Sequence, residues 1–170
     1  MAGDAPHIYA LALGSNRPLS ARRTPARLLT EAAMRIGAIG TVRGIAPILS
    51  TPPLGPSARR FANGALLVET ALPPPAMLAA LQKIENHLGR RRHRRWGARS
   101  MDIDIILWSG GMWPPAFRHS RTLMIPHAAC RDRGFVLTPL LAIAPDWRDP
   151  VTGLSIRHLH ARLQKAAQRA

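Results

Sequence analysis

Two aspartates one residue apart, Asp102 and Asp104, stand in the stretch RRWGARSMDIDIILW (94–108), directly after a dense block of arginine. They are two of only nine acids in a chain with 24 basic residues. On a strand, residues i and i+2 share a face, so both carboxylates point the same way while Ile103 and Ile105 point the other. Their Cα atoms lie roughly 7 Å apart at a rise of about 3.3 Å per residue. Like charges this close, left alone, force one acid to keep its proton. Two kinds of partner relieve that repulsion. Neighbouring arginines could form plain ion pairs with them. Alternatively, magnesium takes one or two protein carboxylates and completes its shell with water and phosphate oxygens. Two such ions, about 3.5–4 Å apart, could share the pair. Arg90, Arg91, Arg92, Arg94, Arg95 and Arg99 all fall within residues 90–99, which contain no acid. Guanidinium forks suit phosphate, so metal, phosphate and arginine form one consistent electrostatic set. No G-x-x-x-x-G-K-[ST] occurs, which excludes a P-loop.

The elements that must hold these residues are legible as periodicities. Residues 7–16 predict a buried strand ending in a Gly-Ser-Asn turn, and 24–40 a helix with Leu28, Leu29, Ala32, Ala33 and Ile36 along one face, stopped by Gly37 or Gly40. A second strand is expected over 41–50 and a third over 61–70. Residues 73–89 predict the clearest helix, with prolines at its start, an apolar stripe of Met77, Leu78, Leu81, Ile84 and Leu88, and Gly89 as its stop. The acidic pair belongs to a fourth strand over 101–108. Residues 123–147 predict extended, loop and short helical pieces, and 154–170 an amphipathic helix. The order β-α-β-β-α-β is that of a ferredoxin-like α+β fold, a mostly antiparallel sheet with packed helices, here with an added C-terminal helix. Residues 1–170 predict a single domain, a length suited to one core.

Composition narrows the function classes. Hydrophobic residues make up 46% and charged residues 19%, an ordinary globular balance. The single cysteine, Cys130, allows no internal disulfide and no cysteine-based zinc site, and points to a reducing, cytoplasmic setting. No basic leader or membrane-length apolar run stands at the N-terminus. A net charge of +15 raises nucleic acid as a partner. Aromatic residues are only 5%, and no strand carries the aromatic pair of an RNA-recognition motif, so nonspecific binding at low salt is the most that charge predicts. A two-metal nuclease would also use paired aspartates.

RRWGARSMDIDIILW resembles the signature of the hydroxymethyldihydropterin pyrophosphokinases, and the resemblance runs from about residue 8 to about residue 147. ALGSN (12–16) is similar to the family's first-strand ending, STPPLGP (50–56) to its pterin loop, FANGALLVET (61–70) to the strand beyond, and LMIPHAACRDRGFVLTPLLAIAPDW (123–147) to its second signature. The resemblance implies transfer of pyrophosphate from ATP to the hydroxymethyl group of 6-hydroxymethyl-7,8-dihydropterin, with two magnesium ions on Asp102 and Asp104. It implies catalytic roles for Arg90 and Arg92 in a loop that closes over ATP and excludes water, with solvent exposure expected for Arg91 and Arg94. ATP contacts fall on Gln82, Glu85, Arg92, Arg95, Trp96, Arg99, Ile105, His127 and Arg133. Gln82 and Glu85 read equally well as an exposed helical pair, and Trp96 as an aromatic anchoring the loop base. For the pterin the resemblance implies Thr51, Pro52, Pro53 and Leu54 as a loop read through its main chain, Phe61 and Phe135 as the stacking pair, Asn63 at the ring edge, and Trp96 and Asp102 beside it. A monomer is expected, with no membrane and no specific nucleic acid as partner. Ala98, Ala128 and Ala142 depart from usual family residues, which puts affinity rather than reaction type in question.

Overall fold

The computed structural model describes residues 5–52, 59–90, 100–115 and 123–169. Its elements, in chain order, are β1 (His7–Ser15), α1 (Pro25–Ile36), β2 (Thr41–Ile45), β3 (Leu49–Thr51), β4 (Phe61–Thr70), α2 (Pro74–His87), β5 (Asp102–Trp108), α3 (Gly134–Ile143) and α4 (Ile156–Ala167). The strands pair in the order β2-β4-β1-β5, with β3 also on β4, and every pairing is antiparallel. Counting β2 and β3 as one broken strand, this is the expected ferredoxin-like order.

The expected strand over 41–50 divides in two, and Pro47 gives the reason. Proline has no N–H to donate to a ladder, so β2 ends at Ile45 and pairing resumes only at Leu49. The first helix is shorter than the expected 24–40. Thr24 caps it, its side chain accepting from the Arg27 N–H, and Gly37 ends it. In 123–147 the helical pieces are a 3-10 turn at Cys130–Asp132 and a ten-residue helix, Gly134–Ile143, with Pro139 inside it. This helix is apolar on nearly every side because it is buried between the sheet and α4.

Alternation along the strands separates two apolar layers. Tyr9, Leu11 and Leu13 of β1 face Leu28, Ile36, Met77 and Leu81 of α1 and α2. Ala10 and Ala65 face Val136, Leu137 and Leu140 of α3 and Ile156 and Leu159 of α4. A bulge between Ala10 and Leu11 turns both Ile106 and Leu107 toward this second layer. On β1 the side facing α3 carries small residues, Ala10, Ala12 and Gly14. The end of the sheet where β1 finishes and β4 and β5 begin carries the acidic pair.

Candidate active site

β5 is the edge strand, and both aspartates lie on its α3-facing side. Register places Asp102 beside Gly14, Gly14 beside Asn63, and Asn63 beside Leu49, so four strands form one row. Neighbouring strands are about 4.8 Å apart, which sets Asp102 and Asn63 about 10 Å from each other across a bare glycine. A Cβ at Gly14 would stand 3.4 Å from Asn63 Oδ1, filling the floor between acid and amide. Asn63 is buried and donates from Nδ2 to Thr51 Oγ1 at 2.8 Å, which fixes the plane of its amide. Phe61 lies two residues from Asn63 on the same face, paired with Thr51. Phe135 opens α3 and is partly buried against the second layer, with the Arg133 guanidinium 5.7 Å from its ring centre.

Arg90 neutralises Asp102. Arg90 Nη1 lies 2.9 Å from Asp102 Oδ1 and also contacts Glu85 Oε1. Glu85, 2% exposed, accepts from the Ile103 N–H at 2.7 Å and so ties α2 to the free edge of β5. Burial pushes the Glu85 carboxyl upward, and nearby Asp102 adds to this, against the pull of the Ile103 N–H and Arg90. Glu85 is a buried clamp rather than an exposed helical residue, and Arg90 is held between two carboxylates. Gln82, one helical turn away, is half-buried. The Ile105 side chain is 4% exposed in the α1–α2 layer, so a ligand contact there falls to its main chain.

Asp104 lies next to His127. The Nε2 of that ring is 4.0 Å from Asp104 Oδ2, and its Nδ1 accepts from the Ala129 N–H at 3.2 Å. That bond leaves the ring proton on Nε2, directed toward the acidic pair. The His127 N–H donates to the Ile106 carbonyl, which joins this loop to the edge of β5. Asp102 and Asp104 are 26% and 36% exposed at the side chain, enough to reach a ligand. Among the described residues no group of three or more His, Cys, Asp or Glu gathers as a metal site. Two neighbouring carboxylates are a hard-oxygen donor set that fits magnesium, with water and phosphate completing its coordination. Pro53, Leu54, Arg92, Arg95, Trp96 and Arg99, with Arg91, Arg94 and Ala98, lie outside the described residues.

Sequence reasoning missed a second carboxylate of this region. Asp149, 0% exposed, accepts from Arg131 Nε at 2.7 Å and Nη2 at 2.9 Å, from Thr152 Oγ1 at 2.6 Å and from the Val151 N–H at 3.1 Å. Burial alone would raise its carboxyl, but Arg131, Thr152 and the Val151 N–H outweigh burial and hold it below the usual carboxylate range. A lowered folded-state value contributes stability above the unfolded one, near pH 3.9, and that contribution is lost as pH falls through the folded value. Asp149→Asn is therefore expected to flatten the acid side of the stability profile below about pH 4, read from denaturant midpoints. An unchanged acid limb would show that the pair carries no such linkage.

Comparisons with known proteins place the chain among relatives. A family model described as 7,8-dihydro-6-hydroxymethylpterin-pyrophosphokinase matches residues 10–145. A Pseudomonas aeruginosa 2-amino-4-hydroxy-6-hydroxymethyldihydropteridine pyrophosphokinase is 38% identical over 141 residues, covering 82% of this chain and 82% of the relative. The Bacillus subtilis protein of the same name is 36% identical, covering 81% and 78%. A solved Plasmodium falciparum HPPK-DHPS chain superposes with a TM-score of 0.75 at 15% identity, over 99% of this chain and 46% of that one. This chain thus spans just under half of that solved chain, and the likeness to it concerns the fold.

Proposed function

The chain belongs to the 7,8-dihydro-6-hydroxymethylpterin-pyrophosphokinase family, enzymes of folate biosynthesis, and on that premise we propose that its Asp102–Gly14–Asn63 face transfers pyrophosphate from ATP to 6-hydroxymethyl-7,8-dihydropterin. The observation that carries this reading is the row itself: a half-exposed acidic pair at one end, a bare glycine floor, and a fixed amide at the other. In the reaction the hydroxymethyl oxygen attacks the β-phosphorus, the bond from that phosphorus to the bridging α-oxygen breaks, AMP leaves, and the hydroxyl proton is lost to solvent.

Asp102 and Asp104 would hold magnesium, two ions in all, and the bound ions would neutralise the triphosphate and polarise the reacting phosphoryl group. His127 offers its Nε2 proton to a phosphate oxygen beside Asp104. Arg133, at the start of α3, adds a second cation. Asn63 reads the ring edge, with Thr51 fixing its orientation. Phe61 and Phe135 supply stacking faces. A monomer belongs to the same reading. No helix among the described residues is long and apolar enough to cross a membrane. That observation and a buried lone Cys130 support a cytoplasmic enzyme, with residues 1–170 as one pyrophosphokinase domain.

The deciding experiment measures AMP release from magnesium-ATP with and without dihydropterin. Release that depends on the pterin is expected; release at the same rate without it, or none, overturns the reading. Phe135→Ala is expected to weaken pterin affinity by roughly 5–100-fold, the value of one aromatic stack, while nucleotide affinity changes little. Equal weakening of both would make Phe135 a packing residue only.

A further inference from the structure

The Arg131–Asp149 pair lies outside the site just described, yet it controls the loop on which two site residues stand. Residues 127–133 run from His127 beside Asp104 to Arg133 at the start of α3. Main-chain bonds tie this loop down at its ends, from the His127 N–H to the Ile106 carbonyl and from the Val136 and Leu137 N–H groups to the Arg133 carbonyl. The middle rests on the buried Cys130 and on the fork of Arg131 closed over Asp149.

Asp149 is a rigid anchor. A carboxylate has about four lone-pair sites, and Arg131 Nε and Nη2, Thr152 Oγ1 and the Val151 N–H use four of them. Its main chain is also committed, with its N–H donating to the Leu154 carbonyl at 2.9 Å and its carbonyl accepting from the Gly153 N–H at 2.8 Å. Gly153 turns there at φ 70°, a conformation that favours glycine. The Ile156 N–H then donates to the Trp147 carbonyl, fixing the turn to the start of α4. A planar guanidinium gripped by both arms has no rotational freedom left, so the position of Arg131 sets that of the loop on either side of it.

We propose that Asp149 is a positioning residue for the nucleotide side of the site, acting through Arg131 to set His127 and Arg133. The proposal rests on the reading of this face as the pyrophosphokinase site. It predicts a selective effect. His127 and Arg133 serve the phosphates, while Asn63, Thr51 and Phe61 stand on β3 and β4, and Phe135 is held by the packing of α3 against the second layer.

The test uses the full chain with Asp149→Asn, and with Arg131→Lys as a milder variant that keeps the charge and loses the fork. Affinity for a nonhydrolysable ATP analogue with magnesium, and separately for dihydropterin, is measured by calorimetry alongside circular dichroism. In Asp149→Asn the nucleotide dissociation constant is expected to rise about tenfold, with a smaller rise in Arg131→Lys and less than about a twofold change for the pterin. A partly unfolded population raises the apparent constants of both ligands by the same factor, so a purely structural role would weaken both alike, whereas a positioning role weakens the nucleotide selectively. Unchanged nucleotide affinity in either folded variant, or equal losses for both ligands, overturns the proposal. Should Asp149→Asn not fold, Arg131→Lys decides alone. Should the unaltered chain bind nucleotide but release no AMP with pterin, the activity reading fails while the affinity comparison still decides this one.

Discussion

Asp104→Ala is expected to lower pterin-dependent AMP release by at least about 10²–10³-fold, the range for removing one preorganised group from a developing phosphoryl charge. The same substitution should leave stability within about 0.5 kcal/mol, because the side chain is 36% exposed on an edge strand and its truncation opens no cavity. Asp104→Asn keeps the size and removes the charge, and a comparable loss there would assign the effect to charge. Steady-state assays and thermal unfolding of the same preparations separate the two quantities. Near-normal turnover in either variant would refute the cation-holding role. Asp102→Ala should be as inactive, with an added consequence: among the described residues Arg90 would keep Glu85 alone as a carboxylate partner.

Glu85→Ala carries the largest expected loss of stability, about 2–4 kcal/mol. It removes the acceptor of the buried Ile103 N–H, costing about 1–3 kcal/mol, and one of the two carboxylates facing a mostly buried guanidinium. With Glu85 gone, Arg90 is left to Asp102 alone, so the cation site would have to compete with a better-paired arginine. Nucleotide affinity in magnesium should therefore fall as well, by about tenfold at 1.4 kcal/mol per decade. Glu85→Gln retains an oxygen for the Ile103 N–H and should recover part of the stability. Denaturant midpoints check the first expectation and calorimetry the second. A change below about 0.5 kcal/mol in Glu85→Ala would mean that α2 and β5 are held together without this clamp.

Much of the fold could be read directly. Residues 61–70 form a strand with the expected bounds, and the helix over 73–89 was misplaced by only one or two residues at each end, because apolar spacing and proline and glycine boundaries are local signals. The break at Pro47 was also written in the chain, and the expected strand over 41–50 ran across it. The helix Gly134–Ile143 was not legible in the same way. FVLTPLLAI is apolar at almost every position, so neither a 3.6-residue nor a two-residue period stands out, and Pro139 argues against a helix. Only burial between the sheet and α4 selects that conformation.

The site divides along the same line. Its row of Asp102, Gly14 and Asn63 depends on strand register, yet the resemblance had already marked both ends of it, and the i, i+2 rule alone placed the two aspartates on one face. Glu85 and Asp149 were misread or missed because their partners, the Ile103 N–H and Arg131, are each 18 residues away, a separation at which sequence carries no pairing signal. By itself, then, the sequence determined that two carboxylates converge and what chemistry such a pair can serve, since strand geometry is fixed by local backbone dihedrals. Only the tertiary structure decided which cation already neutralises Asp102 and which buried acids hold α2 and the His127–Arg133 loop in place, since electrostatic partners are chosen by distances between segments that are remote along the chain.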